Sequence, residues 1–142
     1  MRVMVIVKAN EDSEAGVLPS EALLTEMGEF NEELVRAGVL LAAEGLQASS
    51  QGVRVRFGSG TSRVIDGPFT ETKELIAGFW LWQVRSMAEA VEWIRRSPFH
   101  KTGEEIEIRR VFEAEDFGPT LAPELQAAEA RLDGRSGAGA KN

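Results

Sequence analysis

Asp66 heads the run Asp66-Gly67-Pro68-Phe69-Thr70-Glu71-Thr72-Lys73-Glu74, in which a carboxylate is followed by a rigid turn and a cluster of charges. An apolar, strand-like segment carrying Trp80 and Trp82 comes directly after it. A carboxylate held by such a turn beside a hydrophobic cavity can serve as a general base or as a polar anchor for a substrate. Asp-Gly-Pro is equally good turn chemistry: Asp caps nearby amides, Gly takes a difficult conformation and Pro locks the next φ. The residues alone leave both readings open. The second candidate acid–base group is His100, whose intrinsic pKa suits proton transfer near neutrality. It sits in the loop Pro98-Phe99-His100-Lys101-Thr102-Gly103 with no partner at a telling spacing, so a surface position is the plainer expectation.

Five residues are candidates for holding a ligand: Glu44, Lys73, Trp80, Trp82 and Arg109. Trp80 and Trp82 share one face of a strand and can stack on an aromatic ligand, although such residues more often fill a core or an interface. Lys73, flanked by Glu71 and Glu74, suits a pocket mouth but is more simply a solvated loop charge. Arg109 shares a strand face with Glu107 and is expected to pair with it, or to flank a cavity. The chain has one histidine and no cysteine, which leaves only carboxylate metal sites. Glu104 and Glu105, adjacent in sequence, do not converge on one ion, so no metal and no cofactor are expected. There is no Gly-x-Ser-x-Gly elbow, and Gly58-Ser59-Gly60 lacks the spacing of a phosphate loop.

These side chains need elements to position them. Residues 2–8 form a β-branched run with apolar side chains at odd and even positions alike, a strand with two apolar faces. Residues 9–19 read as a loop. Pro19 and Ser20 start a helix whose stripe is Leu23, Met27, Phe30 and Leu34, and Gly38 stops it. Val39–Ala43 is the next strand, and Val53, Val55 and Phe57 alternate with Arg54 and Arg56 in a half-buried one. A short strand spans Arg63–Asp66, and Ala77–Val84 is again apolar on both faces. Ser86-Met87-Ala88-Glu89 matches a capping box at the start of a helix ending near Arg96, and residues 106–112 form the last strand. This order predicts an α+β fold, a mostly antiparallel sheet with two helices on one face. The bare face, apolar on two strands, predicts a homodimer whose sheets close into a barrel with a cavity near the seam.

At 142 residues and 43% hydrophobic composition the chain suits one folded domain, residues 1–118, with a C-terminal extension over 119–142. In the extension, 123–132 can form a short helix, and 134–142 are too poor in apolar residues to order themselves. The net charge of -7 resides in the body: residues 1–118 hold 13 Lys/Arg against 20 Asp/Glu. An acidic body without a basic stripe argues against nucleic-acid binding. No apolar run reaches the length of a membrane span, no signal segment precedes the first strand, and cysteine is absent, so a cytoplasmic location is expected.

The run Asp66-Gly67-Pro68-Phe69, with Glu71, Lys73-Glu74 and Gly78, resembles the signature of the DGPF proteins, a branch of the YCII-related family. The resemblance extends in order over residues 2–118, through Gly38-Val39-Leu40, Glu44-Gly45-Leu46, Ala90-Val91-Glu92-Trp93, Glu105-Ile106-Glu107-Ile108-Arg109 and Glu115-Asp116-Phe117. It implies a ferredoxin-like protomer pairing into a dimeric α+β barrel. It also implies an association with extracytoplasmic-function sigma factors, and in some relatives a His/Asp acid–base pair or dehydrochlorination of a chlorinated aromatic. The early-chain histidine of that pair has no counterpart here, and Arg109-Arg110-Val111 stands where the family usually has Arg-Pro-Val. Two functions follow as expectations. The first is a binding or regulatory protein that takes a small, partly apolar ligand, linked to a sigma factor. The second is a cofactor-independent enzyme using Asp66 for proton-transfer chemistry, an isomerisation or an elimination. The first leads, because no second titratable group pairs convincingly with Asp66.

Overall fold

A computed structural model of the chain describes residues 1–138, the side chains of Lys73 and of residues 135–138 excepted. The elements run β1 (Arg2–Lys8), α1 (Glu11–Glu14), α2 (Glu21–Arg36), β2 (Leu40–Gly45), β3 (Val53–Phe57), β4 (Ser62–Asp66), β5 (Ile76–Gln83), α3 (Met87–Arg95), β6 (Ile106–Arg110) and α4 (Ala122–Ala138), with short 3-10 turns between some of them.

Local chemistry sets the helix ends. Ser20 Oγ accepts from the Leu23 amide at 3.1 Å and starts α2. At the other end Gly38, at φ 72°, lets the Val39 amide return to the Leu34 carbonyl and its own amide to that of Val35. That is the left-handed helix stop only glycine adopts without strain. Ser86 caps α3 by accepting from the Glu89 amide at 3.1 Å, but the expected capping box is only half made. Glu89 Oε2 instead accepts from the Arg85 backbone amide at 2.8 Å, and this bond, aided by the Arg85 guanidinium, holds the Glu89 carboxyl below its usual range. The 9–19 loop contains a helix turn the sequence reading missed. Asn10 and Ser13 exchange side-chain-to-backbone hydrogen bonds of 2.8 and 2.9 Å, a capping box that closes α1.

Two compact units result, Met1–Arg110 and a second beginning at Val111. The boundary precedes the expected residue 118 because the last strand stops at Arg110, short of the expected Phe112, whose ring packs on Phe117 with centroids 5.0 Å apart. In the second unit α4 is helical to Ala138, beyond the expected 123–132. Once a helix is nucleated each further residue adds a hydrogen bond, so the sparse apolar anchors do not end it early. The remainder of the expected unordered tail, 139–142, lies outside the described residues.

In the first unit the sheet order is β2-β5-β1-β6, with every neighbouring pair antiparallel. Taking β1, β2, β5 and β6 as the four strands, with α2 and α3 as crossovers, this is the ferredoxin-like arrangement. Strands β3 and β4 pair only with each other. The expectation that Val53, Val55 and Phe57 are half-buried therefore fails. They are 59%, 48% and 81% exposed, because the hairpin is an insertion outside the four-stranded sheet.

Both helices cover the same sheet face. Phe30 and Leu34 of α2 and Ala90 of α3 bury themselves against Val3, Val5, Trp80 and Trp82. Phe30 stands edge-on to both indoles, with centroids 5.9 Å from Trp80 and 6.4 Å from Trp82. Such pairs add about 0.5–1.5 kcal/mol each beyond the area they bury. On the opposite face the register places Met4 against Leu81 and Ile6 against Phe79, the second apolar set that the sequence predicts. At the β2–β5 seam the strands approach so closely that a Cβ on Gly78 would lie 2.8 Å from the Glu44 carbonyl oxygen, whereas one on Gly45 would meet nothing within 4 Å. Gly78→Ala should therefore cost about 1–3 kcal/mol in urea denaturation, through overpacking against backbone that cannot yield. Gly45→Ala on the facing strand should leave the midpoint nearly unchanged.

Candidate functional site

Side-chain volume falls abruptly along β5. Trp82 and Trp80 fill the space under the helices, and the next residue on that face is Gly78. The register aligns Trp80 with Val5 and Ala43, and Gly78 with Val7 and Gly45, so the row beyond the indoles has little to offer α2. The void that remains is an open cavity of about 770 Å³ between the sheet, the first half of α2 and the segment containing α1. A register irregularity between Val7 and Lys8, opposite Ala77, lies at the same end of the sheet. Trp80 and Phe99, 5.8 Å apart and edge to face, form an aromatic wall. Val17, Leu18 and Leu24 stand exposed at the mouth.

The polar groups on the wall are few and mostly placed by backbone. Asn31 Oδ1 accepts from Trp80 Nε1 at 2.8 Å, which satisfies an indole that is only 4% exposed. Asn10 Nδ2 donates to Glu104 Oε1 at 2.9 Å, joining the end of β1 to the approach to β6. Lys8 Nζ lies 3.4 Å from Glu107 Oε1. Asp12 and Glu44 also line the cavity, and among the described residues neither has a hydrogen-bond or ion-pair partner.

Of the residues singled out from sequence, Glu44 and Trp80 meet at this cavity. Trp82 does not: it is fully buried in the core, on the same face as Trp80 but one row away from the void. Arg109 projects from the other face of the sheet, exposed, 4.0 Å from Glu107 as expected. His100 lies outside the cavity, in a shallow depression beside Glu26 and Glu29, with Nδ1 2.6 Å from the Ser97 carbonyl oxygen. Asp66 ends β4 opposite Val53 in the hairpin and does not line the cavity. Lys73's side chain lies outside the described residues. The cavity itself sits inside one chain on the helix side, not on the bare face where a seam between two sheets was expected. Asn31 and Asp12 went unnoticed in the sequence. Asn31 carried a signal, since it follows Met27 by four residues and so breaks the apolar stripe of α2 with an amide.

The Asp66–Phe69 motif acts at a distance. The Gly67 amide donates to the Gly52 carbonyl at 3.0 Å, and a Cβ on Gly67 would fall 1.8 Å from the Ser49 carbonyl oxygen, so only glycine passes there. Gly67-Pro68 is a cis peptide. The Phe69 amide donates to Ser49 Oγ at 3.0 Å, and the Ser49 hydroxyl and amide both donate to the Glu14 carboxylate. The Arg54 guanidinium covers the Phe69 ring, 3.8 Å from its centroid. Glu14 belongs to α1, whose Asp12 and Ser13 line the cavity. The motif thus fixes one wall through Ser49 and Glu14.

The strand order and an intrachain cavity under the helices define a ferredoxin-like α+β protein with a small-molecule-sized pocket. The chain belongs to the YCII-related family, whose domain model matches residues 1–115. An uncharacterised protein of Rhizobium meliloti is 32% identical over 75 residues, which is 53% of this chain and 60% of that protein, so the match spans about three fifths of the relative's length. Among solved structures, 5-chloro-2-hydroxyhydroquinone dehydrochlorinase from Burkholderia phenoliruptrix, in complex with 2,5-dihydroxybenzoquinone, aligns over 80% of this chain and 95% of its own. The TM-score is 0.42 at 16% identity, so the fold rests on the strand order itself. Among the described residues no helix is long and apolar enough to cross a membrane.

The latch and the motif's first residue separate cleanly by mutation. Ser49→Ala strands the Phe69 amide and one Glu14 oxygen and should cost about 1–3 kcal/mol. Asp66→Asn removes a side chain with no partner among the described residues and should cost about 0.5 kcal/mol or less. Thermal melts of the two variants check the order, and a larger loss for Asp66→Asn would contradict it.

Proposed function

We propose that this protein binds a small, partly apolar molecule in the cavity between α2 and the sheet. The observation that carries this reading is the cavity's construction. Its volume of about 770 Å³ lies inside the range of small-molecule sites, roughly 300–1,000 Å³. Its walls combine the Trp80 and Phe99 rings with a short set of polar groups able to orient a ligand. Binding is preferred to acid–base catalysis by Asp66 or His100 because neither lines this cavity. The homodimer belongs to the same proposal. Met4, Ile6, Phe79 and Leu81 form an apolar set on the sheet face opposite α2 and α3, and a second sheet packed there keeps it from water.

Binding is tested with a neutral apolar fluorophore such as Nile red, whose emission should rise and saturate with protein. Met27→Trp and Ala43→Leu, which fill the cavity from the helix and from the sheet, should each reduce that binding at least tenfold with the melting transition still cooperative. Equal binding by both filled variants would place the dye elsewhere and remove the support for a ligand site. Light scattering should give twice the chain mass at micromolar concentration, and Leu81→Asp should halve it or unfold the protein. A monomeric wild type would refute the dimer.

A further inference from the structure

We infer that the ligand this cavity takes is an organic cation, a protonated amine carried on an apolar or aromatic body. The inference rests on the cavity being a ligand site and adds the ligand's charge. The ionisable side chains on the wall are Lys8, Asp12, Glu44 and Glu104: three carboxylates and a single ammonium. The ammonium is already engaged, since Lys8 Nζ lies 3.4 Å from the Glu107 carboxylate outside the lining. One oxygen of Glu104 takes the Asn10 amide, whereas Asp12 and Glu44 have no partner among the described residues. The wall therefore carries surplus negative charge, inside a chain whose own net charge is -7.

Each class of guest meets this wall differently. An anion meets repulsion from three carboxylates, and the ammonium that would receive it is held by Glu107. A neutral guest displaces water from Asp12 and Glu44 and returns nothing to them, a desolvation cost without compensation. A cation with an apolar body replaces that water with an ion pair, in a concave site where the field of the carboxylates is less screened than on open surface. The rings serve the same guest. The indole of Trp80 has its N–H fixed by Asn31, and with Phe99 it offers π-faces to a cation or to the aromatic body behind it. Val17, Leu18 and Leu24 at the mouth then cover the hydrocarbon.

The test uses three probes of one shape: 2-phenylethylammonium, 3-phenylpropionate and 2-phenylethanol, titrated calorimetrically and by tryptophan fluorescence. The ammonium should bind at least about tenfold more tightly than either of the others, the equivalent of one well-placed ion pair in a partly shielded site. Asp12→Asn and Glu44→Gln should each weaken the ammonium severalfold and leave the alcohol unchanged, and added salt should erode the preference. Carboxylate or alcohol binding equal to or tighter than the ammonium overturns the charge assignment while leaving the cavity a ligand site. If none of the three binds at millimolar concentration, and Nile red binds the filled variants as well as the wild type, the cavity reading itself fails and this inference with it.

Discussion

The change of side-chain volume from Trp80 to Gly78 along β5 sets both the stability and the vacancy of the first unit. Alternation puts Trp82, Trp80 and Gly78 on one face of the sheet. The two indoles meet Phe30 and tie α2 down at its middle, while glycine leaves the first half of that helix standing off the sheet. A bulky residue at 78 is forbidden twice over: the Glu44 carbonyl occupies the place of its Cβ, and its side chain would fill the cavity. Close strand approach and open space on the helix side are thus two consequences of one glycine. The core is well packed where the helices cross it, and the void is confined to the end where the backbone can come close.

The fold was legible to the extent that periodicity and caps carry it. Ser20, Gly38 and Ser86 marked helix ends correctly because each satisfies backbone groups with its own side chain or conformation, independently of distant contacts. The two-faced apolar patterns of β1 and β5 likewise placed those strands at the centre of the sheet. The hairpin misled because alternation of Val and Arg looks the same in a strand that packs on a core and in one that pairs only with its neighbour. The site was less legible. Glu44 and Trp80 meet at the cavity, but Asp12, Asn31 and Glu104 come from three separate segments joined by strand register and a four-residue helix, and no local spacing announces that. Trp82 was indistinguishable from Trp80 by type and parity. Only the row in which each sits separates a core residue from a wall residue.

The most recognisable letters of the chain turn out to be those furthest from the void. Asp66 to Phe69 closes the hairpin and hands a backbone amide to Ser49, which in turn grips Glu14. A signature motif can be specific because its geometry is unforgiving, and Gly67, wedged against the Ser49 carbonyl, is such a position. The chemistry of the cavity is carried by commonplace residues whose importance depends on where the sheet register delivers them.

The β3–β4 hairpin leaves and rejoins the body through Gly52 and Gly67, which hydrogen-bond to each other. Its two ends are therefore pinned side by side whatever lies between them. Lengthening or shortening the arm by one residue on each strand preserves its inward and outward parity without disturbing the register of the four-stranded sheet. The arm is in effect a modular socket: a place where insertions, deletions or grafted peptides can vary from one relative to the next, or by design, while Gly67 and Ser49 keep the junction and the cavity wall in register.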